Sequence, residues 1–247
     1  MWFDNHCHLT SGKADPDLLV AAALAAGVTR LLTVGVTVAD SQRAIAVASR
    51  FDNVWATVGV HPHDAKDGID GLDELLDHPR VVAVGETGLD FHYDYSPRAA
   101  QTEAFRRQIA LANRSGKALV IHTRQAWDET FVLLDQEGTP ERTVFHCFTG
   151  GPAEAAQCLA RGAYLSFSGI VTFPSAGDVR AAALDAPLSA VLVETDSPYL
   201  APVPFRGKPN QPANVAVVGQ FLAQLRQETE VAVAEATSAN AVALYGL

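Results

Sequence analysis

Apolar, β-branched runs recur along the chain, each bounded by turn residues or helix signals. They centre on Phe3 (MWFDN), Leu32 (RLLTVGV), Thr57 (VWATVGV) and Val84 (VVAVGE), then on Val120 (ALVIH), Phe145 (TVFHCF), Leu165 (AYLSFSG) and Val193 (AVLVET). The eight runs are short, Val-rich and nearly continuous in apolar character. That pattern predicts strands covered on both faces by crossover helices. Between them lie helical stretches. DPDLLVAAALAAG predicts a helix capped by Asp15, with Pro16 in its first turn and Gly27 as its stop. SPRAAQTEAFRRQIALANRSG opens on Ser96 and Pro97, closes on Gly116, and sets Phe105, Ile109 and Ala112 on one stripe. GPAEAAQCLARG is a shorter copy of the same grammar, and the stretch from Pro212 to Leu247 predicts two further helices. Regular alternation of strand and helix predicts a single (β/α)8 TIM barrel, with a doubly wound open sheet as the second reading.

Length and composition fit that expectation. A chain of 247 residues suits one large barrel or two small domains. No internal repeat, low-complexity segment or Gly/Ser linker divides residues 1–247, so one domain is expected. Folding at this length removes roughly 70–75% of the unfolded chain's surface from water, so a large core forms without staples. Cys7, Cys147 and Cys158 are sparse and odd in number, which predicts reduced thiols in the cytoplasm. No basic start followed by an apolar stretch resembles a signal peptide. The longest apolar run, Leu18 to Val28, falls short of the about 20 residues that span a bilayer, so no membrane contact is expected. The formal net charge of −10 repels nucleic acid at long range and argues against a large basic surface. It leaves room for a small pocket made positive by bound metal ions.

The residues that carry chemistry fall at the strand ends. His6 and His8 (NHCH) follow the first strand, and His61 and His63 (GVHPH) the third. Glu86 (VGETGLD) ends the fourth, His122 (VIHTR) the fifth and His146 (VFHCF) the sixth, and Asp196 (VETDSP) follows the eighth. Six of the eight histidines thus sit at C-terminal strand ends, which converge on the rim where barrel active sites lie. Alternate residues of an extended segment point the same way, so His6 and His8 share a side and Cys7 faces the other. Neutral imidazoles suit borderline divalent ions, and carboxylates add charge and can bridge two of them. Six ligands are too many for one tetrahedral ion. They divide as His6, His8 and Asp196 on one ion and His122 and His146 on another, with Glu86 bridging.

Each residue also has a plainer reading. His61, His122 or His146 alone is more often a satisfied rim histidine, Glu86 a salt-bridge partner inside the barrel, and Asp196 a helix cap before Ser-Pro. The joint placement outweighs these readings, because independent coincidences would all have to fall on one rim. His78 and His92 lie away from it. Cys147 follows His146 on a strand and is expected to face away from the site as a small buried hydrophobe.

The chain resembles the TatD family of metal-dependent hydrolases, within the wider amidohydrolase-like barrels. The resemblance runs nearly end to end, through FDNHCHL, TVGVHPHDA, GETGLDFHYDYSPRAAQTEAFRRQIALA, VIHTRQA, FHCFTG, and VETDSPYLAP followed by RGKPNQP. It implies a TIM barrel with two divalent ions and phosphodiesterase chemistry on DNA. It also implies His6, His8, Glu86, His122, His146 and Asp196 as ligands, the set already reached from placement. Mg²⁺ or Mn²⁺ are the expected working ions, with Zn²⁺, Ni²⁺ or Fe as alternatives in the bound state. One departure stands out: relatives commonly read RGKRNEP where this chain has Pro209 and Gln211, so its grip on the nucleic-acid backbone is expected to differ.

Such a site would activate water between its ions, with Asp196 accepting the proton. His61 and His63 would contact the substrate phosphate or, more plainly, shape the loop around Pro62. Arg124 would reach a phosphate or pair with a rim carboxylate. Arg206 and Lys208 are further candidates on a Pro/Gly-rich loop. A pocket locally positive inside an acidic protein engages few phosphates at once, which favours trimming DNA ends or short single strands over tracking duplexes. No obligate protein partner is expected, and the chain is read as a monomer. The rival is a small-molecule amidohydrolase or lactonase on the same barrel. Such sites often bridge their ions with a carbamylated lysine at the end of the fourth strand, where this chain has Glu86. A non-catalytic scaffold barrel would have lost ligands, and all six are present.

Overall fold

The computed structural model describes every residue except Lys13. Its strands are β1 (Trp2–Cys7), β2 (Val28–Thr33), β3 (Val54–Val58), β4 (Val81–Asp90), β5 (Ala118–Arg124), β6 (Thr143–Phe145), β7 (Tyr164–Phe167) and β8 (Val191–Val193). They pair in parallel in chain order, β1 through β8. The ring closes where β1 meets the segment after β8. There Cys7 bridges Ser197, the His8 N–H donates to the Ser197 carbonyl at 2.8 Å, and the Asp196 N–H donates to the His6 carbonyl at 2.9 Å. Closure rules out the open doubly wound sheet, and it is made by the backbone of three candidate ligand positions and their neighbours. This is a (β/α)8 TIM barrel.

The helices are α1 (Pro16–Ala25), α2 (Val38–Ala48), α3 (Arg98–Ser115), α4 (Trp127–Glu137), α5 (Pro152–Ala160), α6 (Gly177–Asp185), α7 (Val215–Arg226) and α8 (Glu230–Tyr245). Asp15 caps α1 as expected, its carboxylate accepting the Asp17 N–H at 3.0 Å. Gly116 closes α3 in the left-handed conformation that a residue without Cβ adopts readily. Ser96 does not cap α3. Its hydroxyl donates to the His63 carbonyl at 2.7 Å and accepts the Lys66 N–H at 3.1 Å, tying the β3 and β4 loops together.

Strand–helix alternation breaks once. Among the described residues, no α-helix separates β3 from β4, only 3-10 turns at Pro62–Asp67 and Asp73–Leu75. Gly68 and Gly71, at φ of +79° and +97°, interrupt any longer helix there.

Two apolar layers hold the barrel. The larger fills the space between strands and helices, around Leu31, Phe105, Ile109, Phe145 and Phe167. The smaller plugs the N-terminal end of the barrel interior with Phe3, Leu32, Val120, Val144 and Leu192, closed from below by Leu244 and Tyr245 of α8. Each such side chain contributes about 1.5–3 kcal/mol on burial. No helix among the described residues is long and apolar enough to cross a membrane.

Candidate metal centre

The opposite end of the barrel opens into a cavity of about 1100 Å³, and the candidate ligands converge on its floor. Strand alternation works as expected in β1. The Cys7 thiol turns outward to the Leu32 carbonyl at 3.3 Å, while His6 and His8 turn inward together. Glu86 does not end its strand. It lies mid-way along β4, where the β4–β5 register shifts between Val84 and Thr87, and the strand runs on to Asp90.

Glu86 is the centre of the cluster. Its Oε2 stands 3.3 Å from His6 Nε2 and 3.8 Å from His8 Nε2. Its Oε1 stands 2.8 Å from His146 Nε2, 3.2 Å from His122 Nδ1 and 3.3 Å from His61 Nε2. Asp196, held at φ +54° just past β8, brings Oδ1 to 3.2 Å from His8 Nε2 and 3.8 Å from His6 Nε2. It caps no helix.

The electrostatics follow from burial among opposite charges. Burial pushes the Glu86 carboxyl up, but the surrounding imidazoles, His146 and His61 first, outweigh it and hold it well below the usual carboxylate range. Burial likewise disfavours charge on His146, yet Glu86 and Glu194 reverse the balance and raise it well above the usual imidazole value. His61 goes the other way: burial drives it down to about 4, so it is neutral at ordinary pH.

The donor set fits a divalent cation. Three groups bring one ligand atom per residue within 4.8 Å of one another: His6, His8 and Glu86; His61, Glu86 and His122; and His6, His146 and Asp196. His6 is fully buried, and neither of its ring nitrogens has a hydrogen-bond partner. Its Nε2 faces the Glu86 and Asp196 oxygens at 3.3 Å and 3.8 Å, and a buried nitrogen left unpartnered there is costly unless a cation sits between them. The first two groups put His6 and His8 on one side of Glu86 and His122, with His61, on the other, but they leave Asp196 and His146 out of the split expected from sequence. The third crosses it, because the His146 ring stacks on His6 with centroids 3.9 Å apart.

Other expected residues are placed unevenly. His63 lines the cavity, but its Nε2 is held by Asp90 at 3.0 Å, and its backbone N–H donates to His61 Nδ1 at 3.1 Å. Arg124 also lines the cavity, its guanidinium lying over Tyr93 rather than against a rim carboxylate. Arg206 and Lys208 do not line it; the Arg206 guanidinium lies 3.9 Å over the Phe173 ring, and Lys208 is exposed. Cys147 does not face away. β6 stops at Phe145, Cys147 turns to φ +44°, and its half-buried side chain joins the cavity wall with its thiol 3.3 Å from the Ser168 hydroxyl.

Sequence reasoning missed two buried carboxylates. Asp90 Oδ2 lies 3.2 Å from His122 Nε2, and Glu194 Oε1 lies 3.3 Å from His146 Nδ1. Both were detectable: Asp90 stands four residues past Glu86 and Glu194 two before Asp196, even spacings that share a side in extended chain. Also missed were Tyr93, Tyr95 and Tyr199, which line the cavity mouth.

The sequence and the fold both match known proteins. The family model described as TatD related DNase matches residues 3–246. An uncharacterized metal-dependent hydrolase of Bacillus subtilis is 38% identical, with 99% of each chain covered. A protein of Cronobacter turicensis named a 3′-5′ ssDNA/RNA exonuclease is 39% identical, over 98% of this chain and 97% of its own. The crystal structure of a TatD homolog from Escherichia coli K12 superposes with a TM-score of 0.93 at 28% identity, over 100% of this chain and 98% of that one.

Proposed function

The chain belongs to the TatD-related DNase family of metal-dependent hydrolases, and on that premise we propose that it is a phosphodiesterase that removes nucleotides from the ends of single-stranded DNA. The observation that carries this reading is the two-sided use of Glu86. One oxygen faces His6 and His8, the other His61, His122 and His146. A carboxylate so placed would be shared by two divalent ions, which His6, His8 and Asp196 on one side and His122 and His146 on the other would hold. When bound, such ions supply Lewis acidity toward a phosphate and lower the pKa of water toward neutrality. The exonuclease named among the relatives supports a nucleic-acid substrate.

The side chains do the rest. Asp196, ionised and at the rim, accepts the proton of the attacking water. His61 is neutral, and its Nδ1 accepts the His63 N–H, so its proton resides on Nε2 and is directed to the cavity floor, where it donates to a phosphate oxygen. Arg124 and His63, on the cavity wall, flank the path of the next phosphate. Arg206 and Lys208 stand outside this path and contribute at most to longer strands.

The amidohydrolase or lactonase reading lacks its lysine. Lys117 immediately precedes β5 at the far end of the barrel, where its ammonium donates to the Val81 carbonyl at 2.7 Å. No lysine appears among the described residues lining the cavity.

The test is a nuclease assay with Mg²⁺ or Mn²⁺ on 3′- and 5′-labelled single strands, comparing wild type with Glu86→Gln. Wild type should shorten one label progressively and Glu86→Gln should be nearly inert, since both ions lean on that carboxylate. Equal digestion by the two proteins would end the two-ion model. Hydrolysis of small esters or lactones by a wild type inert on DNA would favour the rival.

A further inference from the structure

The loop between β4 and α3 carries two exposed tyrosines whose rings pack against each other. Tyr93 and Tyr95 stack in parallel, with centroids 5.4 Å apart and planes 4° from coplanar. Tyr93 is 39% exposed and Tyr95 61%. The Arg124 guanidinium lies 4.7 Å over the Tyr93 ring. The His63 ring meets Tyr95 and Tyr93 edge-on, at 4.8 Å and 5.8 Å.

Buried groups brace this loop from below. Asp90 Oδ1 accepts the backbone N–H groups of His92 and Tyr93, each at 2.9 Å. The Gln101 amide donates to the Asp90 and Ser96 carbonyls at 3.1 Å and 3.0 Å. Asp90, Ser96 and Gln101 are all fully buried. The chain therefore fixes two large aromatic rings at the mouth of a cavity and leaves part of each, most of all Tyr95, open to solvent. Paired aromatic rings left open at the mouth of the cavity that holds the ligand cluster offer a surface that a ligand can cover.

We propose that Tyr93 and Tyr95, steadied by Arg124 and His63, form a stacking platform for unpaired nucleobases of a single strand whose terminal phosphodiester enters the metal centre. This rests on the phosphodiesterase reading above and names what that reading leaves open: how an acidic protein holds a polyanion. A net charge of −10 supplies no long-range attraction for phosphates. Stacking needs none, because every base has a π-face, and an arginine over the ring adds a cation–π contribution. A paired base is already stacked within its duplex and cannot use the platform, which selects single strands. The cavity exceeds the size of a phosphate and reaches continuously from Glu86 to both tyrosines, so base and phosphate can be held at once.

The experiment uses the metal-loaded enzyme with Mn²⁺. Its probes are pentadeoxynucleotides and pentaribonucleotides, each in a base-bearing and an abasic form, and each base-bearing strand also with 2-aminopurine near the cleaved end. Two readouts are taken: the ratio of KM for abasic over base-bearing strands, and the quenching of 2-aminopurine fluorescence on rapid mixing. In the wild type the ratio should be large, roughly 5- to 150-fold per stacked base, with strong quenching. Tyr95→Ala and Tyr93→Ala should collapse the ratio toward one and abolish quenching. Tyr95→Phe should keep both, and Tyr95→Leu, which retains apolar area without the ring, should not. The deoxy and ribo arms show which strand the platform accepts. Wild-type cleavage of base-bearing and abasic strands with equal KM would overturn the platform and leave the phosphodiesterase reading standing. A ratio that survives the double Tyr93→Ala, Tyr95→Ala variant would do the same. A wild type that cuts no strand would sink both.

Discussion

Glu194 Oε1 lies 3.3 Å from His146 Nδ1, on the far side of the ring from Glu86, whose Oε1 stands 2.8 Å from His146 Nε2. The imidazole is clamped between two carboxylates, one facing the cavity and one buried beneath it. Glu194 is itself anchored. Its Oε1 accepts the Cys147 N–H at 2.8 Å and its Oε2 the Ser166 hydroxyl at 2.6 Å. Ser166 accepts from the Asn5 amide at 2.7 Å, and Asn5 Oδ1 accepts the Tyr245 hydroxyl at 3.0 Å. A line of hydrogen bonds thus runs through the barrel from α8 to the cavity. A carboxylate behind a ligating imidazole fixes its orientation and raises its basicity. Glu194→Gln should therefore weaken divalent-metal affinity by about 10- to 100-fold. Titrating Mn²⁺ against a chelator measures this. Activity should recover at saturating metal, and unchanged metal affinity would reduce Glu194 to a structural brace.

Asp90 offers a two-part test, because its two oxygens do different work. Oδ2 faces His122 at 3.2 Å and His63 at 3.0 Å, whereas Oδ1 accepts two loop N–H groups. Asp90→Asn, with its oxygen retained toward the loop, should keep the loop while losing the charge-assisted bonds to both rings. Metal affinity should fall by about 10- to 100-fold with little change in unfolding midpoint. Asp90→Ala should in addition leave two part-buried backbone donors without their acceptor and cost about 1 kcal/mol in urea unfolding. Equal stability of the two variants would show that the loop does not depend on Oδ1.

The ligand cluster was legible because strand alternation and strand-end placement are local rules: His6 and His8 needed only the period of two around Cys7. The same rule failed at Cys147, since three-residue β6 ends before it and a left-handed residue re-aims the thiol. Arg206 and Lys208 misled for another reason. Sequence shows that a loop is basic, not which way it folds, and this one lays Arg206 on Phe173. The missing helix after β3 was written in Gly68 and Gly71 but hidden by the regularity of the other repeats. The tyrosine pair required three dimensions, because two rings separated by one residue in a loop have no fixed relation until Asp90 and Gln101 pin the backbone.

Gly88 shows how tightly β4 and β5 must approach to place His122. Its φ is +138°, and a Cβ there would lie 1.9 Å from the His122 carbonyl oxygen. That obstacle is backbone, so no rotamer change relieves it. Gly88→Ala should push the two strands apart, destabilise the fold by about 2–4 kcal/mol and displace His122. Urea unfolding reads the first effect and Mn²⁺ titration the second. A variant with wild-type stability would mean that the strands have slack.

Asp64, on the cavity wall next to His63, supplies a pH test at a residue outside the proposed ligand set. It is half-buried, and burial raises its carboxyl above the ordinary value. Lys66 and His63 pull it down, while Asp67 and Asp40 push it further up. A carboxyl with a folded-state pKa above its unfolded one binds protons more tightly when folded, so ionising it costs stability. The cost is absent below the unfolded value of about 3.9, grows as pH rises through the folded one, and is fully present at neutral pH. Asp64→Asn removes it. The variant should be more stable than wild type at pH 7 by up to about 0.5 kcal/mol, the usual size for a partly exposed site. The advantage should shrink as pH falls toward 4. Chemical unfolding of both proteins at pH 7, 5.5 and 4.5, in chelator so that metal does not contribute, measures the difference directly. A variant less stable at every pH would show instead that the carboxylate is favoured where it stands, in the first turn of the Pro62–Asp67 segment.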